Sequence, residues 1–97
     1  MSCNRVELSG KLAALDAVRY TPAGIPVINF SILHQSSQIE SGMERLVQCE
    51  VAAMAVGPLA EMIGKRRAEQ ECRVVGFLAA RNRKSSQLVL HVNEIRF

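Results

Sequence analysis

The fold is decided near the N-terminus by the stretch from Arg5 to Leu12, RVELSGKL, in which polar and apolar residues alternate. Val6, Leu8, Gly10 and Leu12 share one face of an extended chain, and the polar residues between them share the other. A period of two predicts a strand that is buried on one face. Gly10 predicts a bulge or a sharp bend, which a strand needs where it curves into a small barrel.

A turn and a second alternating segment follow. Thr21-Pro22-Ala23-Gly24 predicts a turn, because proline presets φ at the first corner and glycine can adopt a positive φ. Pro26 suits the start of a strand, where a missing N–H is tolerated. The residues predicted on the inner face of this second strand are Ile28, Phe30, Ile32 and His34.

The segment from Gln35 to Glu44, QSSQIESGME, is polar, and we expect a loop there. A third strand follows it. The residues predicted to point inward are Val47, Cys49 and Val51, and those predicted to point outward are Leu46, Gln48 and Glu50.

The period changes between Ala55 and Arg67. The apolar residues Leu59, Met62 and Ile63 are spaced i, i+3, i+4, which predicts one side of a short helix. Its ends are marked by residues that suit them, Pro58 at the first helical position and Gly64 at the C-terminal stop.

The C-terminal third predicts two further strands, from Cys72 to Ala80 with a bend at Gly76, and from Gln87 to Arg96. The order is therefore three strands, a short helix and two strands. This order predicts an all-β protein, a five-stranded Greek-key barrel of the OB-fold type with the helix between strands 3 and 4. Residues 1–97 are expected to form one domain.

Composition narrows the functional class. The net charge of +3 permits an anionic partner without requiring one. Three cysteines without a CxxC pair favour a reduced, intracellular protein. Because no apolar run reaches the ~20 residues of a membrane span, and no signal peptide is recognisable, we expect a cytoplasmic protein without a membrane partner.

The sequence offers little chemistry. His34 and His91 are single residues on different predicted strands, without a second metal ligand at i+2 or i+4, so we predict no metal site. Nucleotide-binding glycine motifs and nucleophile motifs are missing, and the acidic residues are scattered. The prediction is a binding protein without a cofactor and without enzymatic activity.

Basic residues mark the expected ligand site. Arg81, Arg83 and Lys84 lie in the loop between the last two strands, which borders the ligand groove of an OB-fold. Flexible cations there can follow a phosphate backbone, although hairpin tips are also commonly charged and solvated. Arg19 and Tyr20 precede the first turn and could clamp a phosphate and a base, or be surface packing residues.

Aromatic residues, on which bases usually stack, are scarce. The chain has no Trp, one Tyr and three Phe. Phe30 and Phe77 lie in strand interiors and are predicted to belong to the core.

Five segments resemble the family of primosomal replication protein N (PriB) in order and spacing. They run from about residue 4 to the C-terminus and are NRVELSG (4–10), TPAGIP (21–26), QCE (48–50), VGFL (75–78) and LVLH (88–91). The resemblance implies an OB-fold homodimer that holds single-stranded DNA and contacts the PriA helicase in the restart of replication. Some members of the family also contact DnaT.

The resemblance carries the DNA-binding role to Arg19 and to the loop with Arg81, Arg83 and Lys84. Three positions depart from the pattern of better-known members. Gln48 stands in place of a tryptophan, Met43 in place of a phenylalanine, and Gln35 in place of an arginine. We therefore expect Gln48 to lie in the groove, and we expect this protein to bind DNA more weakly than other members of the family do. The alternative is an adaptor for the PriA helicase whose DNA contact is secondary.

Overall fold

The computed structural model describes residues 2–97 and contains six strands and one helix. Most of the strands are long, and one of them is a two-residue bridge before the first turn. In chain order they are β1 (Val6–Ala13), β2 (Arg19–Tyr20), β3 (Pro26–Glu40), β4 (Met43–Val56), α1 (Pro58–Gly64), β5 (Glu71–Ala80) and β6 (Leu88–Arg96).

The five long strands close into a barrel. Its order is β1-β5-β6-β4-β3, and β1 returns to pair with β3. All pairings are antiparallel except the short parallel contact between β4 and β6, which closes the Greek key. The predicted OB-fold, with its helix between the third and fourth long strands, is thereby confirmed. The additional β2 pairs with the beginning of β3.

The first strand serves two neighbours, and Gly10 lies where it changes from one to the other. Residues from Val6 to Lys11 pair with β5, and residues from Lys11 to Ala13 pair with β3. A Cβ atom on Gly10 would collide with the carbonyl oxygen of Leu33. The predicted bend at Gly10 is confirmed, and its cause is the close approach of two backbones.

Gly76 performs a similar task in β5. The register between β5 and β6 shifts between Val75 and Gly76, and a Cβ atom on Gly76 would collide with the carbonyl oxygen of His91. The register shift is a β-bulge whose extra residue, Asn93, lies on β6 opposite the step from Val75 to Gly76, and it lets the sheet curve around the core.

The core fills the barrel and is closed by α1. The strand residues predicted to point inward are buried at Leu12, Ile28, Phe30 and Ile32, whereas His34, predicted on the same face, is only half-buried. The helix begins with Pro58 at its first turn, as predicted, and buries Ala60 and Ile63 completely. Met62, predicted on the apolar side of the helix, is instead exposed by 37% at its edge.

The segment from Gln35 to Glu44 is not a loop. It forms the end of a hairpin in which β3 continues to Glu40 and β4 begins at Met43. Ser41 and Gly42 both have positive φ, 53° and 79°, as a two-residue type I′ turn requires. We call residues 35–48 the arm. Both faces of the arm meet solvent near its tip, so no apolar alternation marked it as two strands.

The arm also corrects the prediction for Cys49. Alternation placed its side chain inside the barrel, but β4 has not yet reached the barrel at this residue, and Cys49 is exposed. Cys72 is buried, and burial raises the pKa of its thiol above the ordinary value. Within residues 2–97, no helix has the length and hydropathy that crossing a membrane requires.

Candidate nucleic-acid interface

A shallow cleft of about 490 Å³ crosses the outer surface of β3, β4 and β6. It lies where an OB-fold binds oligonucleotides, between the β1–β3 connection and the β5–β6 loop. The polar and partly exposed side chains among its lining residues are Asp16, Arg19, Asn29, Ser31, Met54, Arg81 and His91.

Strand register explains the floor of the cleft. Asn29 pairs with Met54 across β3 and β4, and Met54 pairs with His91 across β4 and β6. Directly paired residues point to the same face of a sheet, so the three form one row. The buried neighbours Ile28 and Ala55 point inward, which confirms that this row faces outward.

Two predicted site residues meet in this cleft. Arg19 is held by the pairing of β2 with β3, and Arg81 is held by its backbone N–H, which donates to the Gln87 carbonyl at 2.9 Å. Both side chains are exposed. The ion pairs within residues 2–97 involve other arginines, so neither guanidinium in the cleft is neutralised by a carboxylate within 4.0 Å.

The tip of the β5–β6 loop extends beyond the cleft. Arg83 and Lys84 are exposed and do not line it. The loop is shaped by its own side chains, because Asn82 Oδ1 accepts from the Lys84 backbone N–H at 2.9 Å and Ser85 Oγ accepts from that of Gln87 at 3.0 Å. Because Arg83 and Lys84 do not line the cleft, a polyanion bound there would meet them at the edge of the cleft and not on its floor.

Tyr20 is also outside the cleft. Its side chain is 60% exposed, and the alternation of β2 sends it away from the surface that Arg19 shares with Arg81. The structure thus separates the predicted pair of Arg19 and Tyr20.

Gln48 is exposed, as the alternation of the third predicted strand requires, but it lies on the arm. It pairs with Gln35 and lines a second, wider cleft of about 1300 Å³ between the arm and the outer surfaces of β1 and β5. Ala52, the β4 residue nearest to it in the small cleft, is four positions along the strand, about 13 Å away at 3.3 Å per residue. Gln48 therefore does not join the two cleft arginines.

The aromatic prediction was right for Phe30 and wrong for Phe77. Phe30 is 3% exposed and belongs to the core, whereas Phe77 is 37% exposed on the outer face of β5. Its ring stacks on the imidazole of His91, with centroids 5.0 Å apart and an angle of 7° between the planes. Cys72, Val74 and Gly76 are buried at alternate positions of β5, so Phe77 points to the opposite, outer face. The alternation of these three residues was the signal in the sequence that could have placed Phe77 outside the core.

No group of His, Cys, Asp and Glu side chains in the described part of the chain has the arrangement of a metal site. The cleft offers two cations, one carboxylate (Asp16), neutral polar groups and one side of an aromatic stack. The excess of cations and the flat ring suit binding of a polyanion with flat bases.

Comparison of the sequence agrees with this chemistry. Residues 4–94 match the model of a family described as "another single-strand binding protein family". The chain is 40% identical over 93 residues to replication restart protein PriB of Nitrosomonas europaea, covering 96% of this chain and 86% of that protein. It is 38% identical over 94 residues to replication restart protein PriB of Neisseria gonorrhoeae, covering 96% and 92%.

Comparison of the structure gives the same result. The PriB protein of Ralstonia solanacearum superposes with a TM-score of 0.87 at 29% identity, over 98% of this chain and 97% of that one. The wild-type single-stranded DNA binding protein of Thermus aquaticus superposes with a TM-score of 0.77 at 28% identity, over 97% of this chain and 49% of that one.

Proposed function

The chain belongs to the PriB family of replication restart proteins, and on that premise we propose that it binds single-stranded DNA as an accessory protein of the primosome. In this role it acts in the PriA-dependent restart of DNA replication, in the cytoplasm and without catalysing a reaction. The observation that carries the proposal is that Arg19 and Arg81 line the cleft of the OB-fold together and form no ion pair with any carboxylate of residues 2–97.

The cleft suits binding without sequence preference. Two guanidinium groups can each hold a phosphate and release its counterions, which supplies affinity that falls with salt. The neutral side chains of Asn29 and Ser31 can replace water at base edges with little net gain. Because these contacts read no particular base, the protein would coat a single strand at a stalled fork whatever its sequence.

We propose that the working form is a homodimer. The edge of β1 from Val6 to Gly10 pairs with β5 on one side only, because β3 leaves it after Leu33 to enter the arm. An unpaired edge beside the wide cleft is a surface that a second copy could cover, extending the sheet and the buried area. Sedimentation at micromolar protein should show a dimer, and a monomer well above that concentration would contradict this part of the proposal.

A second candidate function is an adaptor that contacts the PriA helicase, and DnaT where it is present, with only weak DNA binding. The observation that favours it is the arm, where three apolar side chains are more than 70% exposed. They are Ile39, Met43 and Leu46. The register places Ile39 and Leu46 on one face of the arm and Met43 on the other. Exposed apolar side chains that share a face are typical of a protein-binding surface.

One experiment separates the two functions. The anisotropy of fluorescently labelled oligo-dT is measured against protein concentration at several salt concentrations, with unlabelled duplex DNA as competitor. The DNA-binding function predicts saturable binding. The logarithm of the association constant should fall linearly with the logarithm of the salt concentration. Absence of binding at low salt, together with saturable binding to PriA, would favour the adaptor instead.

A further inference from the structure

We propose that the imidazole of His91, backed by the ring of Phe77, is a platform on which one base of the bound strand stacks. The proposal rests on the single-stranded DNA binding proposed above and adds to it the place where a base is held. It assigns a role to two aromatic rings in a chain that has no Trp and one Tyr.

The first step of the argument is the orientation of the two rings. Phe77 and His91 are direct partners across β5 and β6. Their centroids are 5.0 Å apart with an angle of 7° between the planes. This distance is close to the spacing between neighbouring strands, about 4.8 Å. The rings therefore stack face to face, with their planes nearly parallel and their faces directed towards the neighbouring strands.

The second step is the direction of the face of His91 that Phe77 does not cover. Phe77 covers the face of the imidazole on the β5 side, and the other face is turned towards β4, where Met54 is the direct partner of His91. On that side His91 and Met54 line the cleft that also contains Arg19 and Arg81. A flat base that entered the cleft would take the place of the Met54 side chain, which is unbranched and flexible, and would continue the stack as its third member.

The third step is charge complementarity. Arg19 of β2 and Arg81 of the β5–β6 loop lie in the same cleft and can hold the phosphates of the strand that carries the stacked base. Cations beside an aromatic face are the combination that proteins use to bind single strands without sequence preference. A single strand needs both cations for its phosphates and a flat face for its bases, and the cleft has both. We therefore assign the platform to a nucleobase.

The test compares His91→Leu with His91→Phe in oligo-dT binding at one fixed pH. Leucine keeps an apolar side chain but has no flat face, and phenylalanine restores the face. We expect His91→Leu to weaken binding about 5- to 140-fold, the range of 1–3 kcal/mol per stacked base converted at 1.4 kcal/mol per factor of ten. His91→Phe should bind as the wild type does, and Phe77→Leu should lose less than His91→Leu.

Two controls locate the effect. Leu88→Ala changes an exposed side chain on the same strand outside the cleft and should leave affinity unchanged. An abasic oligonucleotide of the same length keeps the phosphates, so wild type and His91→Leu should bind it equally. Circular dichroism checks that each variant is folded.

The outcomes distinguish the two proposals. If the wild type binds oligo-dT and His91→Leu binds within twofold of it, the platform is wrong and the DNA-binding function stands. An equal loss on abasic and normal strands would likewise overturn the platform. If the wild type binds no single-stranded DNA, both proposals fall together.

Discussion

Removal of both cleft arginines is the sharpest test of where the DNA lies. Arg19 comes from β2 and Arg81 from the β5–β6 loop, and neither carries an ion pair within residues 2–97. Replacing either with alanine therefore leaves no carboxylate without a partner, and the change in binding reports the lost contact alone. We expect the variant Arg19→Ala/Arg81→Ala to fold normally, since both side chains are exposed.

The size of the effect follows from counterion release. Each phosphate contact that is lost should reduce the slope of log affinity against log salt by about 0.7 on a single strand, so the double variant should lose about 1.4. Between 50 and 200 mM salt, which is about 0.6 log unit, the difference in affinity between wild type and variant should shrink by about sevenfold. Anisotropy titrations of oligo-dT at several salt concentrations measure both quantities.

Two comparisons decide whether the reasoning holds. Arg67→Ala removes the same charge from an exposed position after α1, outside the cleft, and should leave the slope unchanged. Arg83→Ala/Lys84→Ala removes the two cations of the loop tip and should reduce the slope by less than the cleft pair does, because the tip lies at the rim. An unchanged slope in the cleft variant, or an equal change in Arg67→Ala, would refute the placement of the DNA in this cleft.

Three further predictions concern the arm, the helix and the thiols. If the bound DNA continues along β4 onto the arm, Gln48→Trp should tighten oligo-dT binding by about 1–3 kcal/mol, and the fluorescence of the new indole should be quenched. Unchanged affinity and fluorescence would show that the DNA does not extend beyond the cleft to Gln48. Ile63→Ala, which empties a fully buried position of α1, should lower the free energy of unfolding by about 2–5 kcal/mol. Met62→Ala on the same helix should cost about 1 kcal/mol or less, and equal losses in chemical denaturation would contradict the packing of α1. Cys72 should react with a thiol reagent much more slowly than the other two cysteines, because burial raises its pKa and limits access; equal rates in the folded protein would contradict its burial.

Local rules in the sequence predicted most of the barrel. The alternation around Gly10, the turn after Thr21 and the helix that begins at Pro58 are set by neighbouring residues, and the structure has them where they were predicted. The motifs that resemble the PriB family were sufficient to predict the fold and the family. The arm was missed because both faces of its two strands meet solvent near the tip, and a strand without a buried face has no apolar period.

Only the tertiary structure decided which candidate residues share a site. The sequence by itself determined which residues are basic, which loops they occupy and which strand faces are buried. Arg19 and Arg81, more than 50 positions apart, line one cleft because β4 pairs with β3 on one side and with β6 on the other. The stack of Phe77 on His91 depends on the bulge at Gly76, which shifts the register of β5 against β6. Gln48 was separated from the cleft because it lies at the base of the arm, four residues along β4 from Ala52. Pairing register and barrel closure are properties of distant segments, and no local pattern contains them.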